Sequence, residues 1–364
     1  MTLSLEHVRK VVGGETHIHD LSLSVDPGSF NVLLGLTLAG KTTVMRLMAG
    51  LDQPTGGRVV MNGRDVTGVP VRKRNVAMVY QQFINYPSMN VYDNIASPLK
   101  LARLKKHEIR ERVEREAERL HIEHLLTRMP SELSGGQQQR LAMARALVRD
   151  AELLLMDEPL VNLDYKLRED LRVEMREIFS QREAIVVYAT TDPMEALSLG
   201  GNTAVLDRGR LIQYGVTPTV YHQPATVPVT QVFSDPPMNL LPGVLDDGQL
   251  RIAGGDAITA PAHLRELPPG SYRIGIRPVH VSVSAPVAEC LTIRGEVDVA
   301  EVAGSETFIH MSAGDNHWVV QQPGVHVLPI GKTLDVHVES RHLFAYGSDD
   351  QLMAAPTRRL ANAG

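Results

Sequence analysis

SFNVLLGLTLAGKTTVMRLMAG, residues 29–50, decides the fold class of this chain of 364 residues. Its start, SFNVLLG, is a short apolar run typical of a buried strand. The run from Lys41 onward is typical of a helix, with Gly50 as its C-cap. Between them stands G-x-x-x-x-G-K-[ST], whose glycines let successive backbone N–H groups point inward at a phosphate. The segment therefore predicts a phosphate-binding loop that joins a strand to a helix.

This phosphate loop, residues 35–43, supplies the first group of candidate site residues. The helix that starts at its end adds a favourable dipole for an anion. Lys41 is expected to reach the β- and γ-phosphates of a nucleotide, and the Thr42 hydroxyl to hold Mg²⁺. The alternative is a chance glycine-rich turn, which the flanking strand and helix disfavour. The residues predicted to bind the phosphates are Gly35, Thr37, Leu38, Ala39, Gly40, Lys41, Thr42 and Thr43.

An apolar strand that ends in two carboxylates, residues 153–158, supplies the second group. Beside a phosphate loop, Asp157 is expected to bind Mg²⁺ directly or through water. Glu158 is then placed to orient or deprotonate an attacking water. Without a phosphate loop in the same chain, such a carboxylate pair would be interpreted as an ordinary strand end.

A second anion-binding helix start is predicted at LSGGQQQR, residues 133–140. Ser134 can cap the helix that follows, and the two glycines let backbone N–H groups approach an anion. The alternative is a capped helix that binds nothing, because a chain with one nucleotide has no obvious need of two such sites. Both interpretations remain open at the level of the residues alone.

The phosphate loop, LSGGQQQR and LLLMDEP, in this order and spacing, resemble the nucleotide-binding subunit of an ABC transporter over essentially the whole chain. The resemblance implies that two subunits pair head to tail. It also implies that each ATP, with Mg²⁺, lies between the phosphate loop of one subunit and the signature loop of the other. The signature loop consists of Ser134, Gly135, Gly136 and Gln137.

The resemblance also assigns three residues outside these loops. Gln81 stands at the position of the Q-loop glutamine, which contacts ATP and Mg²⁺ and senses the transmembrane partner. Asp164 matches the D-loop aspartate, and Thr191 occupies the position of the switch histidine. A threonine can hydrogen-bond a phosphate oxygen, but it cannot become cationic near neutral pH as imidazole does.

Three further positions depart from the family pattern. Leu36 replaces a usual proline, with little expected effect because backbone N–H groups bind the phosphate. Val161 replaces the D-loop serine, and Val12 lies where an aromatic ring often stacks on adenine. Departures at one composite site, Thr191 included, favour a heterodimer with a second ATPase that keeps the histidine. A homodimer in which Thr191 is a working substitute is the alternative.

The domain organisation follows from composition shifts along the chain. Strand patterns alternate with helical patterns up to residue 235, which predicts a largely parallel α/β P-loop ATPase domain over residues 1–235. A charged helical insert, about residues 88–150, carries one apolar stripe at helical spacing. After the proline-rich residues 234–237, short alternating strands predict a small all-β, OB-like barrel over residues 236–364. The GIRP sequence at 275–278 resembles the C-terminal β domain of maltose-type carbohydrate importers.

Composition limits the class of partner. The formal net charge is -5, from 37 basic and 42 acidic residues, which argues against nucleic-acid binding through bulk positive charge. The single cysteine, Cys290, excludes an intramolecular disulfide. No run approaches the length of a membrane span, and the N-terminal residues lack the apolar segment of a secretory signal. These features lead us to expect a cytosolic chain that reaches a membrane only through a partner. The family resemblance implies a peripheral position on the cytoplasmic side of the bacterial inner membrane.

The function predicted from these features is the ATP-hydrolysing motor subunit of a bacterial ABC importer for a carbohydrate or polyol. Its expected partners are a second ATP-binding subunit, two transmembrane permease subunits and, indirectly, a substrate-binding protein. The phosphate-loop variant resembles more loosely the ATPases of glycerol or sugar-alcohol importers. One alternative is a soluble ABC ATPase, which usually has two cassettes or a long coiled coil. The other is a degenerate subunit that acts mainly as a regulator, against which the intact Lys41, Asp157 and Glu158 argue.

Overall fold

The computed structural model describes residues 1–82, 84–161, 163, 165–180, 183–253, 255–285 and 290–356. The chain divides after Thr217 into two compact units. Within the described residues, no helix is long and apolar enough to cross a membrane.

The first unit opens with an antiparallel sheet formed from the alternating N-terminal sequence. Strands β1 and β2 pair along most of their length, and their buried positions alternate with exposed ones, as a half-buried strand requires. The order in the sheet is β2-β1-β4-β5. Its strands are β1 (Leu3–Val12), β2 (Glu15–Val25), β4 (Gly56–Met61) and β5 (Arg64–Asp65).

A six-stranded sheet forms the centre of the first unit. Its strands, in sheet order, are β10 (Arg210–Val216), β9 (Asn202–Asp207), β3 (Phe30–Leu34), β8 (Ile185–Thr190), β7 (Leu153–Asp157) and β6 (Val76–Val79). All neighbours are parallel except β9 and β10. Strands β7 and β8 are buried along their whole length, because helices cover both faces of a parallel sheet. The predicted α/β fold is confirmed.

The carboxyl ends of three central strands carry the predicted site residues to one edge. Leu34 at the end of β3 pairs with Thr190 at the end of β8, and Ala189 pairs with Asp157 at the end of β7. Parallel strands end on the same side of a sheet, so the segments that follow them meet there. The phosphate loop, the carboxylate pair and Thr191 therefore share this edge.

The helices of the first unit begin and end where local sequence dictates. Helix α1 starts after Gly40 and ends at Gly50, which has a φ of 75° and donates its N–H to Leu47. Three helices fall within the predicted insert, and the apolar stripe of α3 (Ile109, Val113, Ala117 and Leu120) is buried. The helices are α1 (Lys41–Ala49), α2 (Val91–Leu101), α3 (Lys106–Arg119), α4 (Gly135–Leu147), α5 (Tyr165–Ser180) and α6 (Pro193–Leu199).

The second unit is built on two antiparallel sheets, which confirms the all-β fold predicted for this part. One sheet has the order β13-β12-β11-β14-β20-β21: β13 (Ile258–Thr259), β12 (Gln249–Ile252), β11 (Asn239–Asp246), β14 (Gly270–Ile276), β20 (Phe344–Tyr346) and β21 (Leu352–Ala354). The other has the order β15-β19-β16-β17-β18: β15 (Val281–Ser282), β19 (Thr333–Glu339), β16 (Cys290–Ala303), β17 (Glu306–Ala313) and β18 (Asn316–Pro323). Three short helices accompany them: α7 (Thr217–His222), α8 (Val227–Val232) and α9 (Ala262–Arg265).

The division between the units differs from the boundary predicted at residue 235. Arg277, of which 4% is exposed, donates to the carbonyl of Tyr221 at 2.6 Å and to the Ser234 hydroxyl at 3.0 Å. The hydroxyls of Thr230 and Tyr346 are 2.6 Å apart. A buried guanidinium must have its N–H groups satisfied, and residues 218–235 supply those acceptors. This segment therefore packs with the second unit, which the proline-rich composition of residues 234–237 does not reveal.

Candidate active site

The phosphate loop takes its shape from two glycines and one leucine. A Cβ on Gly35 would lie 2.5 Å from the carbonyl oxygen of Leu206 and 2.7 Å from Ala39 Cβ. Gly40 has a φ of 100°, and a Cβ there would lie 2.9 Å from Ile18. Leu38 is also in the left-handed region, with a φ of 69° and 93% of its surface exposed. For a residue other than glycine this conformation costs about 1–2 kcal/mol, so the loop is held in a strained form.

Lys41 folds back over the loop that precedes it. Its side chain is only 5% exposed, and its Nζ donates to the carbonyls of Gly35 at 2.7 Å and Leu36 at 3.2 Å. Nζ also lies 3.2 Å from Oε1 of Glu158. The ammonium is therefore held at the centre of the loop, where a phosphate would meet it.

Thr42 and Asp157 offer oxygen ligands for a divalent cation. The exposed Thr42 donates its hydroxyl to Oδ1 of the buried Asp157 at 3.1 Å. Burial raises the pKa of the Asp157 carboxyl and the nearby Glu158 raises it further, while Thr42 and Lys41 oppose the shift. Hydroxyl and carboxylate oxygens are the hard ligands that Mg²⁺ prefers. Among the described residues no three His, Cys, Asp or Glu side chains come together, so an ion here would need further oxygens from phosphates and water.

Glu158 sits at a sharp turn immediately after β7. Its φ is 46°, and its N–H donates to the carbonyl of Ala189 at 3.0 Å. Its Oε2 accepts a hydrogen bond from Nε2 of Gln81 at 3.2 Å. The carboxylate thus bridges Lys41 of the phosphate loop and Gln81. The arrangement can bind a phosphate, place a cation beside it and accept a proton from water.

Thr191 follows the end of β8 at the same edge. The preceding residue, Thr190, accepts the N–H of Gly35 at its carbonyl oxygen, 3.4 Å away. Its hydroxyl oxygen accepts the N–H of Asp192 at 3.0 Å. Asp192 in turn caps α6 by accepting the N–H of Met194 at 2.7 Å. Thr191 is partly exposed and is fixed on both sides by hydrogen bonds of its neighbours.

Comparison with known proteins identifies the family. A model described as ABC transporter matches residues 18–161, and a model described as TOBE domain matches residues 274–345. The ABC transporter ATP-binding protein YurJ of Bacillus subtilis is 34% identical over 96% of this chain and 98% of its own length. The chain belongs to the ATP-binding proteins of ABC transporters. The sn-glycerol-3-phosphate import ATP-binding protein UgpC of Cupriavidus necator is 36% identical to this ABC ATPase, over 95% of this chain and 97% of UgpC.

Two solved structures match this ABC ATPase over about three fifths of its length. The ATP-binding cassette MJ0796, in a dimeric post-hydrolysis state bound to ADP and Pi, matches with a TM-score of 0.53 and 26% identity. It covers 59% of this chain and 98% of its own. The cbiO1 protein of Clostridium perfringens, part of the cbiONQ transporter complex, matches with a TM-score of 0.56 and 25% identity. It covers 60% of this chain and 90% of its own.

The signature loop of this ABC ATPase forms the start of α4. Ser134 and Gln137 make a reciprocal capping box: the Ser134 hydroxyl accepts the N–H of Gln137, and the Gln137 side chain accepts the N–H of Ser134. Space is open around Gly135, where a Cβ would meet nothing within 4 Å. No hydrogen bond between described residues joins this loop to the phosphate loop. Ser134 and Gly135 are exposed at the start of α4, whereas Gly136 is buried.

The remaining residues that the sequence singled out differ in their exposure, and one lies outside the described residues. Thr37 is exposed, Ala39 is buried and Thr43 is half-buried at the start of α1. Val12, at the end of β1, is 48% exposed. Asp164 lies outside the described residues.

The sequence analysis did not single out Tyr188 in β8 and Glu195 in α6, which lie on either side of Thr191 along the chain. Tyr188 donates its hydroxyl to Oε2 of Glu195 at 2.9 Å, and both side chains are buried. The sequence Asp192-Pro193-Met194-Glu195 is typical of a capping box, in which the acid returns to the first residue. In the structure the Glu195 side chain is instead buried and accepts the Tyr188 hydroxyl. The sequence does contain a signal, because Glu195 is a charged residue on an otherwise apolar turn of α6. Whether its side chain points to the solvent or into the core depends on tertiary packing.

Proposed function

We propose that this chain is the ATP-hydrolysing subunit of a bacterial importer for a carbohydrate, a polyol or a polyol phosphate. The observation that carries the proposal is the convergence of five side chains at one sheet edge. They are Lys41, Thr42, Gln81, Asp157 and Glu158, joined by contacts of 3.1–3.2 Å.

The class of solute rests on the relatives. Proteins named for sn-glycerol-3-phosphate import, from Cupriavidus necator and Ralstonia nicotianae, are 36% and 37% identical to this chain over nearly its whole length. A phosphorylated three-carbon polyol is therefore the first solute to test. The loose sequence resemblance to glycerol and sugar-alcohol importers supports the same class. A maltose-type sugar is supported by the resemblance of the GIRP sequence and of the stretches VPVRKRNVAMVYQ and PMNLLPG to maltose-type importers.

The chemistry assigned to each side chain follows from its position. Lys41 and the N–H groups of the phosphate loop bind the β- and γ-phosphates. Glu158, 3.2 Å from Lys41, orients the attacking water and accepts its proton. Gln81 holds Glu158 through its amide, and Thr191 donates a hydrogen bond to a γ-phosphate oxygen. Mg²⁺, held by Thr42 and Asp157, would neutralise charge on the phosphates.

The assembly proposed is a head-to-tail dimer that works with membrane subunits. In this arrangement the signature loop of one subunit lies against the ATP of the other. The second subunit is a second ATPase that keeps the switch histidine or, as the alternative, another copy of this chain. Two permease subunits and, indirectly, a substrate-binding protein complete the importer at the cytoplasmic side of the inner membrane. Asp164 and Val161 are assigned to the dimer contact.

The test is purification of the tagged chain from membranes of its own organism, followed by identification of the subunits that accompany it. The complex is reconstituted in vesicles, and ATP-driven uptake of labelled glycerol 3-phosphate, glycerol and maltose is compared. Uptake of one of these, lost in the Lys41→Ala complex, supports the importer. ATP hydrolysis by a chain that purifies without membrane subunits would instead support the soluble ATPase.

A further inference from the structure

We propose that Glu195 is a positioning residue that, through Thr190 and Tyr188, holds Thr191 in its working orientation. The inference rests on the proposed function of ATP hydrolysis. It adds a residue that neither touches the nucleotide nor belongs to any of the motifs.

The first step is the pattern of hydrogen bonds around Glu195. Its carboxylate accepts the hydroxyl of Tyr188 at 2.9 Å. The Thr190 hydroxyl interacts with the same carboxylate and lowers its pKa. The same Thr190 oxygen accepts the N–H of Asp192 at 3.0 Å. Two hydrogen bonds, Tyr188 to Glu195 and Asp192 to Thr190, thus connect the end of β8 with the start of α6. They span Thr191, and the second joins its two neighbours.

The second step is burial. Glu195 is 5% exposed, Thr190 3% and Tyr188 0%. Burial raises the pKa of the Glu195 carboxyl, although its bonds to Thr190 and Tyr188 oppose the shift. An apolar side chain of similar size would be at least as stable in such a place. A buried acid that bonds to Tyr188, in the strand that leads to Thr191, is therefore explained by positioning rather than by packing.

The third step is the connection to the reacting groups. The carbonyl of Thr190 accepts the N–H of Gly35 in the phosphate loop, and the carbonyl of Ala189 accepts the N–H of Glu158. The end of β8 therefore touches both the loop that binds phosphate and the residue assigned as base. Buried polar contacts of this kind restrict the motion of the groups they join, so Glu195 positions Thr191 relative to both.

The test uses variants of the full-length chain, assayed in the complex with its membrane subunits. Thr190→Val removes the hydroxyl and keeps the shape, whereas Thr190→Ser keeps the hydroxyl. Glu195→Ala and Glu195→Gln form a second matched pair. Each is also combined with Thr191→Ala, and kcat, KM for ATP and the unfolding midpoint are measured. Tyr188→Phe, which removes a single oxygen, replaces any variant that fails to fold.

We expect Thr190→Val and Glu195→Ala to lower kcat about tenfold or more with KM for ATP nearly unchanged, because misplaced groups slow chemistry more than binding. Thr190→Ser and Glu195→Gln should recover most of kcat. Adding Thr190→Val to Thr191→Ala should cost little further, since both act through the same group.

Additive losses in the double variant, or a lower unfolding midpoint with kcat unchanged, would overturn the positioning role. So would a Thr191→Ala variant as active as the parent. These outcomes are distinct from failure of the proposed function. That failure would appear as a parent complex without ATPase activity, or as a Lys41→Ala complex as active as the parent.

Discussion

Lys41 and Glu158 form an ion pair, with Nζ 3.2 Å from Oε1, at the edge where the phosphate loop meets the carboxylate pair. The ammonium is assigned to the phosphates and the carboxylate to the attacking water. For these roles, Lys41 must give up its contact with Glu158 to bind a phosphate oxygen, and Glu158 must give up the same contact to bind water. Since Gln81 holds the other oxygen of Glu158 at 3.2 Å, the carboxylate keeps an anchor when the lysine turns to phosphate. We therefore expect phosphate binding at Lys41 to release Glu158 for its role as base.

Replacement of Glu158 by glutamine should separate binding from hydrolysis. The amide keeps the shape and the contact with Gln81 but cannot accept a proton, so turnover should fall about 10²–10⁴-fold. ATP affinity should be kept or tightened, because Lys41 loses a competing carboxylate. Phosphate release and nucleotide binding are measured in parallel. Glu111→Gln, on the exposed face of α3, is the matched control; hydrolysis at the parental rate in Glu158→Gln would reject the assigned base.

Replacement of Lys41 by alanine should weaken ATP binding itself. The lysine is buried at the centre of the loop, so its loss removes hydrogen bonds to a charged group and lowers affinity by roughly 10- to 100-fold. Binding is measured by calorimetry. The matched control is Lys73→Ala, at an exposed lysine of the same unit. Unchanged affinity in Lys41→Ala would show that the loop amides alone bind the phosphates.

Asp157 provides a prediction that depends on pH. Burial raises the pKa of its carboxyl in the folded chain, so the folded state binds this proton more tightly than the unfolded state. The contribution of this group to the free energy of unfolding is then lost as pH rises through the folded pKa. Asp157→Asn should therefore raise the unfolding midpoint at neutral pH.

The gain from Asp157→Asn should shrink as pH is lowered, and vanish where the carboxyl is protonated in both states. The same variant should lose the extra thermal stabilisation that Mg²⁺ adds to ATP. Thermal unfolding is followed across the acidic range with and without the nucleotide. A gain that is constant with pH would mean that the charge of Asp157 is not its source.

Alanine variants at Gly135 and Gly40 should distinguish the role of the signature loop from that of the phosphate loop. An alanine at Gly135 meets no atom within 4 Å, so it should change the free energy of unfolding by less than about 0.5 kcal/mol. It should still lower ATPase activity if the signature loop contacts the ATP of the partner subunit. Alanine at Gly40, with a φ of 100°, should cost about 1–2 kcal/mol and abolish binding. Full activity in a folded Gly135→Ala protein would count against the composite site.

The division after Thr217 predicts where the chain can be shortened. A chain of residues 1–217 should unfold in one transition and bind ATP, because the site residues all precede its end. A chain that ends at Ser234 keeps α7 and α8 without Arg277 and Tyr346, to which they bond. It should therefore be less soluble. The two chains are compared by their binding of a dye that reports exposed apolar surface. Weaker dye binding by the longer chain would favour the boundary at residue 235.

The sequence alone determined the features that depend on neighbouring residues. The glycines at positions 35 and 40, the lysine after them and the apolar run before Asp157 predicted a loop, a helix and a strand. Each of these is a matter of local backbone conformation and burial. Ser134 was predicted to cap α4 and does so, because a cap needs only a side chain within three residues of the N–H that it accepts.

Only the tertiary structure decided which distant groups meet. The order of β3, β8 and β7 brings Thr190 beside Gly35 and Glu158 beside Lys41, across more than a hundred residues of chain in each case. The inward turn of Glu195 and the division after Thr217 depend in the same way on partners far along the chain. Strand order and the bonding of buried polar groups depend on the packing of the whole unit. Local sequence patterns predict neither the strand order nor the partners of buried polar groups. They do predict the turns, caps and periodicities from which the helices and strands form.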